Sequence, residues 1–503
     1  MTLLASLHEP RLDATRTAFA FKGVRLSRGE LFGRAQQFAQ AMQARGLRPG
    51  ERVGLLMANP AVHVTCLLGL SQVGAVGVAL QASWLQQVGN GPLARLGLSW
   101  SVHDRREAAA LHVPSGCQAV SARELFVPDS GQQHLSDTGT QFSGSGVDPS
   151  KPWLLSMSSG TTGEPKCVVT SQSAFMASLQ MGEQFQAEDR VFLFLEHSMY
   201  WALATACRAL MAGAQAVFQP PSILPAQLLQ MLHDAQATVL VLSADAASKV
   251  ANYLLDFPGQ GPSLRLSRVI VGGGRVSGRV LQVLREQWGA RVVVLYGSTE
   301  MGPMAVWRQD ATVGDGRSNN EGANCLAIFN GVQAEVVDGL SHPLPPMEVG
   351  FLRLRSPAMF SGYLDENGQL PPQPPEWFYP GDLASFTTDG LLELQGRADH
   401  VLNLGGLKVD PERIEQTIAL QVGVADVGIT VATMGAAEVP VLVGVVVLKP
   451  GHTIDTLRDH CRKYLPAAHC PAYWLSVPAL PRNVGGKLQR QGMAAMVRIE
   501  PNS

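Results

Sequence analysis

Trp153-Leu154-Leu155-Ser156-Met157 runs straight into Ser158-Ser159-Gly160-Thr161-Thr162-Gly163-Glu164-Pro165-Lys166. The first five residues form a mostly apolar run of strand length. The next nine are mostly small, hydroxylated or glycine, and they end on a lysine. Glycines let backbone N–H groups converge on an anion, hydroxyls add donors, and the lysine adds positive charge. The segment therefore reads as a strand feeding a phosphate loop, although a polar turn after a strand has a similar composition. The pattern GxxxxGK[ST] is absent, so the loop is not of the Walker type. Only eight lysines stand against thirty-one arginines, which makes a lysine in a Gly-rich setting informative.

Outward from this point, strand-like runs alternate with helical patterns. Strands are expected at Arg52–Met57, Ala75–Leu80, Arg190–Leu195, Thr238–Leu242, Arg268–Val271 and Arg291–Leu295. Helices are expected at Arg28–Arg45 and Ala226–Ala235. This alternation predicts an α/β sheet, at least partly parallel. Beyond about residue 330 short strands joined by turns take over (Gln333–Val337, Gly350–Arg355, Leu391–Leu394). From about residue 400 a last unit follows, with a helix at Pro411–Leu420, a strand at Val441–Leu448, a helix at Thr453–Tyr464 and a polar tail. Ser130–Ser150 and Glu366–Glu376 read as loops.

The 503 residues allow two to four domains at about 150 residues each. With 46% hydrophobic and 16% charged residues, the chain can bury a large core. A net charge of −2 without a basic block excludes a dedicated nucleic-acid binder. Seven cysteines with no CxxC pair give no disulfide framework. His460-Cys461 and His469-Cys470 leave a metal site open as an alternative to ordinary buried side chains. Residues 53–94 lack charge, but Pro60 and His63 precede the apolar run Val64–Leu80, and Ser71, Gln72 and three glycines interrupt it. A buried helix and strand are expected there rather than a membrane span, which needs about 20 apolar residues. With no apolar signal core at the N-terminus, a soluble cytoplasmic protein is expected.

Four further motifs follow in order. They are Tyr296-Gly297-Ser298-Thr299-Glu300, then Trp377-Phe378-Tyr379-Pro380-Gly381-Asp382, then Gly396-Arg397-Ala398-Asp399 with Asn403-Leu404-Gly405-Gly406-Leu407-Lys408, and Leu480-Pro481-Arg482-Asn483-Val484-Gly485-Gly486-Lys487. In this order and spacing, from about Leu31 to Arg490, the set resembles the adenylate-forming superfamily of acyl- and aryl-CoA synthetases, luciferase and peptide-synthetase adenylation domains.

The resemblance implies an α/β fold. A large N-terminal domain (1–397) would have stacked sheets and a β-rich subdomain at about 325–397. A small mobile α+β domain (398–503) would carry the catalytic lysine. It implies ATP-dependent activation of a small carboxylic acid to an acyl-adenylate with Mg²⁺, then transfer to a thiol. By similarity, Ser158, Ser159, Gly160, Thr161, Thr162, Gly163 and Lys166 would hold phosphates. Gly273, Gly274 and Arg275 would line the adenine edge, and Tyr296 would lie against the ring, within the Gly297-Ser298-Thr299 turn. Glu300 would help hold the metal. Asp382 and Arg397 would bind the ribose hydroxyls. Lys487 would reach the carboxylate and the α-phosphate. Asp399 would be the hinge, and Gly405 and Gly406 would line the thiol tunnel. Asp382, Lys487 and Glu300 could equally be a turn cap, a solvated lysine and a helix-start acid when read alone.

The acid pocket is expected around His197, Tyr200, Trp201, Gly272 and Met301, with Met304 nearby. Arg275 could pair a second carboxylate. His197 would stand between acid and thiol, whereas amino-acid-activating relatives usually carry an acid there, which would shift the assignment to Glu196. Against the family pattern, Cys167 replaces a glycine, Pro380 a threonine and Asn403 a lysine. Cys167 reads as a small buried filler or a reactive thiol. The acceptor is expected to be CoA or the phosphopantetheine of a carrier protein, and the protein a monomer or homodimer. A non-catalytic adenylate-binding relative is the third possibility.

Overall fold

The computed structural model describes the chain except residues 1, 9–11, 81–89, 105–115, 127–145, 159–165, 220–222, 260, 309–324, 371–372, 399–401, 405–406, 420, 435–438, 483–487 and 498–503. Among the described residues, two large sheets dominate, one of thirteen strands and one of seven. The centre of the larger sheet is parallel, in the order Arg291–Ser298, Arg268–Gly272, Val239–Ser243, Arg190–Phe194, Gln215–Phe218 and Thr17–Phe21. The second sheet holds Pro152–Ser158 parallel to Val76–Ala79, followed by Arg52–Leu56, Trp100–His103 and Gln118–Ser121. The apolar runs read from sequence become these strands because both faces are covered, so near-continuous Val, Leu and Ile are favoured over strict alternation.

The charge-free stretch has a physical explanation. Helix Pro60–Val73 starts under the Asn59 side chain, which accepts from the Ala61 amide, and stops at Gly74 with φ of +74°. It is buried on nearly every face. Its core includes Val53 and Leu55 of one sheet and Val191 and Leu193 of the other, so the helix lies in the layer between them. No helix among the described residues is long and apolar enough to cross a membrane.

Trp153 is fully buried at the start of the strand that feeds the phosphate loop. Its indole N–H donates to the Leu67 carbonyl at 3.2 Å, and its ring packs 4.9 Å from Phe175. Trp153→Ala is expected to cost about 3–5 kcal/mol, through lost burial and a cavity. A chemical-denaturation midpoint unchanged from the parent would contradict that.

The short strands after residue 325 extend the large sheet rather than forming a sheet of their own. Gly302–Arg308 pairs antiparallel with Arg291–Ser298 on one side and with Cys325–Ile328 on the other. Leu392–Arg397, Asp382–Phe386, Gly350–Arg355 and Gln333–Val337 follow in order to the edge.

The C-terminal unit pairs Val424–Met434 with Val439–Leu448 and adds Tyr473–Ser476, packed on helices Pro411–Ala419 and Ile454–Tyr464. Among the described residues of the expected polar tail a helix forms. Helix Arg490–Met496 buries Met493, whose side chain lies so close to Gly428 that a Cβ there would overlap its sulfur. One apolar anchor in seven residues is too weak a periodic signal to read from sequence.

Candidate active site

In open α/β sheets, ligands gather beyond the carboxyl ends of the strands. Several of the sequence motifs lie there. Strand Pro152–Ser158 ends at the phosphate loop, Arg268–Gly272 ends at Gly273-Gly274-Arg275, and Arg291–Ser298 carries Tyr296, Gly297 and Ser298 into Thr299 and Glu300. Ser159–Gly163, Lys487, Asp399, Gly405 and Gly406 fall outside the described residues, as does the side chain of Ser158.

Asp382 and Arg397 are cross-strand partners, aligned opposite each other in an antiparallel pair. Their charges lie 3.9 Å apart, and Arg397 also donates to the Pro380 carbonyl at 2.9 Å. Gly381 turns the chain with φ of +83°, and a Cβ there would come within 2.7 Å of the Arg397 guanidinium. Tyr296 reaches across and donates its hydroxyl to Asp382. Burial, the Asp382 charge and this hydrogen bond push the Tyr296 hydroxyl well above its ordinary pKa, so it stays a donor.

A second group forms around Glu300. The Tyr363 hydroxyl donates to its carboxylate at 2.9 Å, and the Phe360 amide donates to its backbone carbonyl at 2.8 Å. Lys166 lies over the Tyr363 ring, 5.1 Å from the centroid. Burial and the Glu300 charge raise the Tyr363 hydroxyl, which therefore remains protonated. Gly362 and Tyr363 pair with Val169 and Val168 of the strand that begins at Lys166. This short pairing brings the end of the phosphate loop to the metal candidate. The Ser298 hydroxyl, at the end of strand Arg291–Ser298, is buried without a hydrogen-bond partner among the described residues.

His197 lies three residues beyond the end of strand Arg190–Phe194. Its Nε2 lies 3.0 Å from the Met57 carbonyl, so Nε2–H donates and the ring joins the ends of the two sheets. Its Nδ1 lies 3.0 Å from a Glu196 carboxylate oxygen. Burial alone would raise the Glu196 carboxyl, but His197 and Ser198 outweigh it and hold the carboxyl below its ordinary value. The His63 ring meets His197 edge-on at 5.2 Å. Burial and the neighbouring imidazole keep His63 neutral, and neither of its ring nitrogens has a hydrogen-bond partner among the described residues.

Three sequence expectations change. Trp201 and Gly272 do meet, since a Cβ on Gly272 would lie 3.0 Å from the indole. Tyr200 instead points into the core, where its hydroxyl donates to Ser178 at 2.9 Å and its ring packs on Phe175. Met301 and Met304 are both fully buried with Phe360 and Val168 rather than forming a pocket wall. Arg275 is already occupied by protein partners. It pairs with Asp410 at 2.8 Å and donates to the Leu394 carbonyl at 2.8 Å.

Tyr363 and His63 were not singled out from sequence, because a lone tyrosine after glycine and a histidine inside an apolar helix carry no spacing signal. Cys167 is buried, and burial pushes its thiol up to about 12, which fits the filler and not the reactive thiol. Cys470 Sγ is directed at the Cys461 and Leu465 carbonyls. No group of three or more metal-capable side chains occurs among the described residues.

Residues 8–364 match the AMP-binding enzyme family, and residues 413–487 match the AMP-binding enzyme C-terminal domain. The chain is 27% identical over 516 residues to novobiocin biosynthesis protein H of Streptomyces niveus, covering 96% of this chain and 80% of that protein. It is 26% identical over 515 residues to phosphinothricin tripeptide synthetase PhsC of Streptomyces viridochromogenes, covering 97% of this chain but 45% of that protein. It spans only 8% of tyrocidine synthase 3 of Brevibacillus parabrevis. Among solved structures, ATP-bound MatB from Rhodopseudomonas palustris superposes with a TM-score of 0.80 at 22% identity, covering 99% of both chains. The anthranilate CoA ligase AuaEII, in complex with anthranoyl-AMP, gives 0.80 at 20% identity, covering 99% of this chain and 97% of that one. Both structures share the fold. With most of its length matched by one family and its C-terminal part by the companion domain, the chain belongs to the AMP-binding enzymes, the adenylate-forming superfamily that its motifs resemble, and is an AMP-forming ligase.

Proposed function

We propose that this chain joins a carboxylic acid to ATP, releasing pyrophosphate, and then transfers the acyl group from the adenylate to the thiol of CoA. The observation that carries the proposal is the convergence of two side-chain groups at the strand ends, Tyr296–Asp382–Arg397 and Lys166–Tyr363–Glu300.

The chemistry fits this arrangement. A substrate carboxylate oxygen attacks the α-phosphorus, the bond to the β-phosphate breaks, and pyrophosphate leaves. Both reactants are anionic, so positive charge must be present where they meet. Asp382 offers acceptor oxygens to two neighbouring ribose hydroxyls while Tyr296 and Arg397 hold its carboxylate. Lys166 begins a strand at the end of the phosphate loop. Lys487, on a flexible stem, supplies charge between carboxylate and α-phosphate. Glu300 would hold Mg²⁺, with Tyr363 fixing one carboxylate oxygen and the Ser298 hydroxyl left to the ligand shell. Bound there, Mg²⁺ would neutralise polyphosphate charge. In the second step the thiol sulfur attacks the acyl carbon, and AMP leaves with the electron pair of the broken C–O bond. Asp399 would serve as hinge between the steps, and Gly405 and Gly406 would let the pantetheine arm pass close to backbone.

Trp201 and Gly272 make one wall of the acid site, and His197 stands at its mouth. The Glu196 carboxylate is engaged by His197 and Ser198, which weighs against its use as the partner of a substrate amino group. The site therefore suits an aryl or acyl acid.

A second reading is loading of a carrier-protein thiol, favoured by relatives named as peptide synthetases. A panel of carboxylic acids assayed for ATP-dependent pyrophosphate release, with CoA or a carrier protein added, tests both. The first reading expects release with at least one acid and a CoA thioester as product. Thioester on the carrier alone would shift the conclusion to the second reading, and no release with any acid would end both.

Tyr363→Phe removes one hydroxyl and keeps the ring under Lys166. It is expected to raise the Mg²⁺ concentration needed for half-maximal activity by about tenfold, the scale of one lost hydrogen bond to a charged group. An unchanged Mg²⁺ titration would separate Tyr363 from the metal site.

A further inference from the structure

Arg482 is five positions before Lys487 and joins the two domains. Its Nε and Nη2 donate to Asp426 of strand Val424–Met434 at 3.0 and 2.6 Å. Its Nη1 lies 3.2 Å from Asp245, in the first turn of helix Ala244–Asp256 of the large domain. All three groups are mostly shielded from solvent, with side-chain exposures of 22%. The backbone at Arg482 is also bridged to Leu488, and the Gln489 amide donates to the Pro481 carbonyl at 2.8 Å. Leu488 directly follows Lys487. Whatever fixes Arg482 therefore fixes the point from which the lysine departs.

The anchor on the large domain is close to the site. The helix bearing Asp245 follows strand Val239–Ser243, whose neighbour ends at Gly272–Gly274. A Cβ on Gly274 would lie 3.2 Å from Ala244, one residue before Asp245. The same helix also receives Lys449 on Asp256, and its Asn252 donates to the Ala419 carbonyl at 3.4 Å.

We propose that Arg482 is a positioning residue for the first half-reaction: its bridge from Asp426 to Asp245 holds the residues that flank Lys487 against the large domain, and the bridge must open before thiol transfer. This rests on the proposed function, in which Lys487 serves acyl-adenylate formation. The forked guanidinium suits the task, because it holds a bidentate carboxylate within its own domain while lending its remaining edge to the other. Arg482 meets the large domain at Asp245, a contact that can be released without disturbing its bidentate pair within the small domain, while Arg275–Asp410, Lys449–Asp256 and Asn252–Ala419 cross between the domains as well.

Asp245→Asn tests this without touching Lys487 or the Asp426 pair. Acyl-adenylate formation is read by pyrophosphate release, and thiol transfer by thioester yield from chemically prepared acyl-adenylate. Adenylation is expected to fall about tenfold, equivalent to about 1.4 kcal/mol of barrier, with thiol transfer unchanged or faster. Asp245→Glu should restore most of it. A purely structural role would lower both half-reactions together, and that result would overturn the proposal. So would an unchanged first step, or a loss confined to the second. Spin labels at Gln287 and Thr456, one on each domain, give a readout that needs no turnover. The distance distribution should broaden in Asp245→Asn, and an identical distribution would count against the bridge even in a chain that activates no acid. Absence of pyrophosphate release in the parent, by contrast, would strike the proposed function alone.

Discussion

Lys487→Ala is expected to reduce acid-dependent ATP–pyrophosphate exchange by about two to three orders of magnitude, while ATP affinity stays within a few-fold of the parent. The magnitude is that of removing one preorganised donor aimed at developing charge, about 3–4 kcal/mol. The asymmetry follows from where the charge is needed. In the proposed function the ground-state nucleotide would already be held by the phosphate loop, by Mg²⁺ at Glu300 and, at its ribose, by the Asp382–Arg397 pair. The carboxylate and the α-phosphate come together only as the transition state forms, and a cation between them acts there. An interaction made only in the transition state lowers kcat and kcat/KM alike. Exchange at the parental rate would remove Lys487 from the chemistry. A loss matched by an equal loss of ATP affinity would make it a binding residue instead.

The second large effect is expected at Asp382. Asp382→Ala should weaken ATP binding by about one to two orders of magnitude, since hydrogen bonds to charged groups contribute about 1.5–3 kcal/mol each and every 1.4 kcal/mol is tenfold. Here kcat at saturating ATP should change much less, because the ribose contacts are made in ground and transition states alike. The variant also takes the acceptor from Tyr296 and the counter-charge from Arg397. Asp382→Asn keeps one acceptor oxygen and should fall between parent and alanine. Affinity measured by equilibrium titration, beside a thermal melt to confirm folding, checks the prediction. ATP affinity within twofold of the parent in the alanine variant would remove the ribose role.

The architecture was legible wherever the chain is buried on both sides. The runs at Arg190–Phe194, Val239–Ser243 and Arg291–Ser298 are apolar because helices or a second sheet cover both faces, and that signal is local. The motifs that carry Tyr296, Glu300, Asp382 and Arg397 stand out by their glycines and hydroxyls, while the roles given to these residues rest on the family resemblance. The side chains that support them were not legible. Tyr363 reaches Glu300 from 63 positions along the chain, and Arg482 reaches Asp245 across two domains. No periodicity encodes such meetings. Tyr200 and Trp201 show a subtler limit. Neighbours at a helix start point about 100° apart, so two adjacent aromatics cannot both face one pocket, and Tyr200 goes to Ser178 and Phe175. The polar tail was misread because its helix rests on one buried methionine.

The burial of Cys167 bears on what this enzyme must avoid. A mixed anhydride poised for a sulfur nucleophile is at risk from any sulfur nearby, including the protein's own. Cys167 directly follows Lys166, and burial pushes its thiol, like that of Cys207, up to about 12, while Cys66 is raised further out of reach. At neutral pH these buried sulfurs hold their protons, which keeps them weak nucleophiles toward an acyl-adenylate.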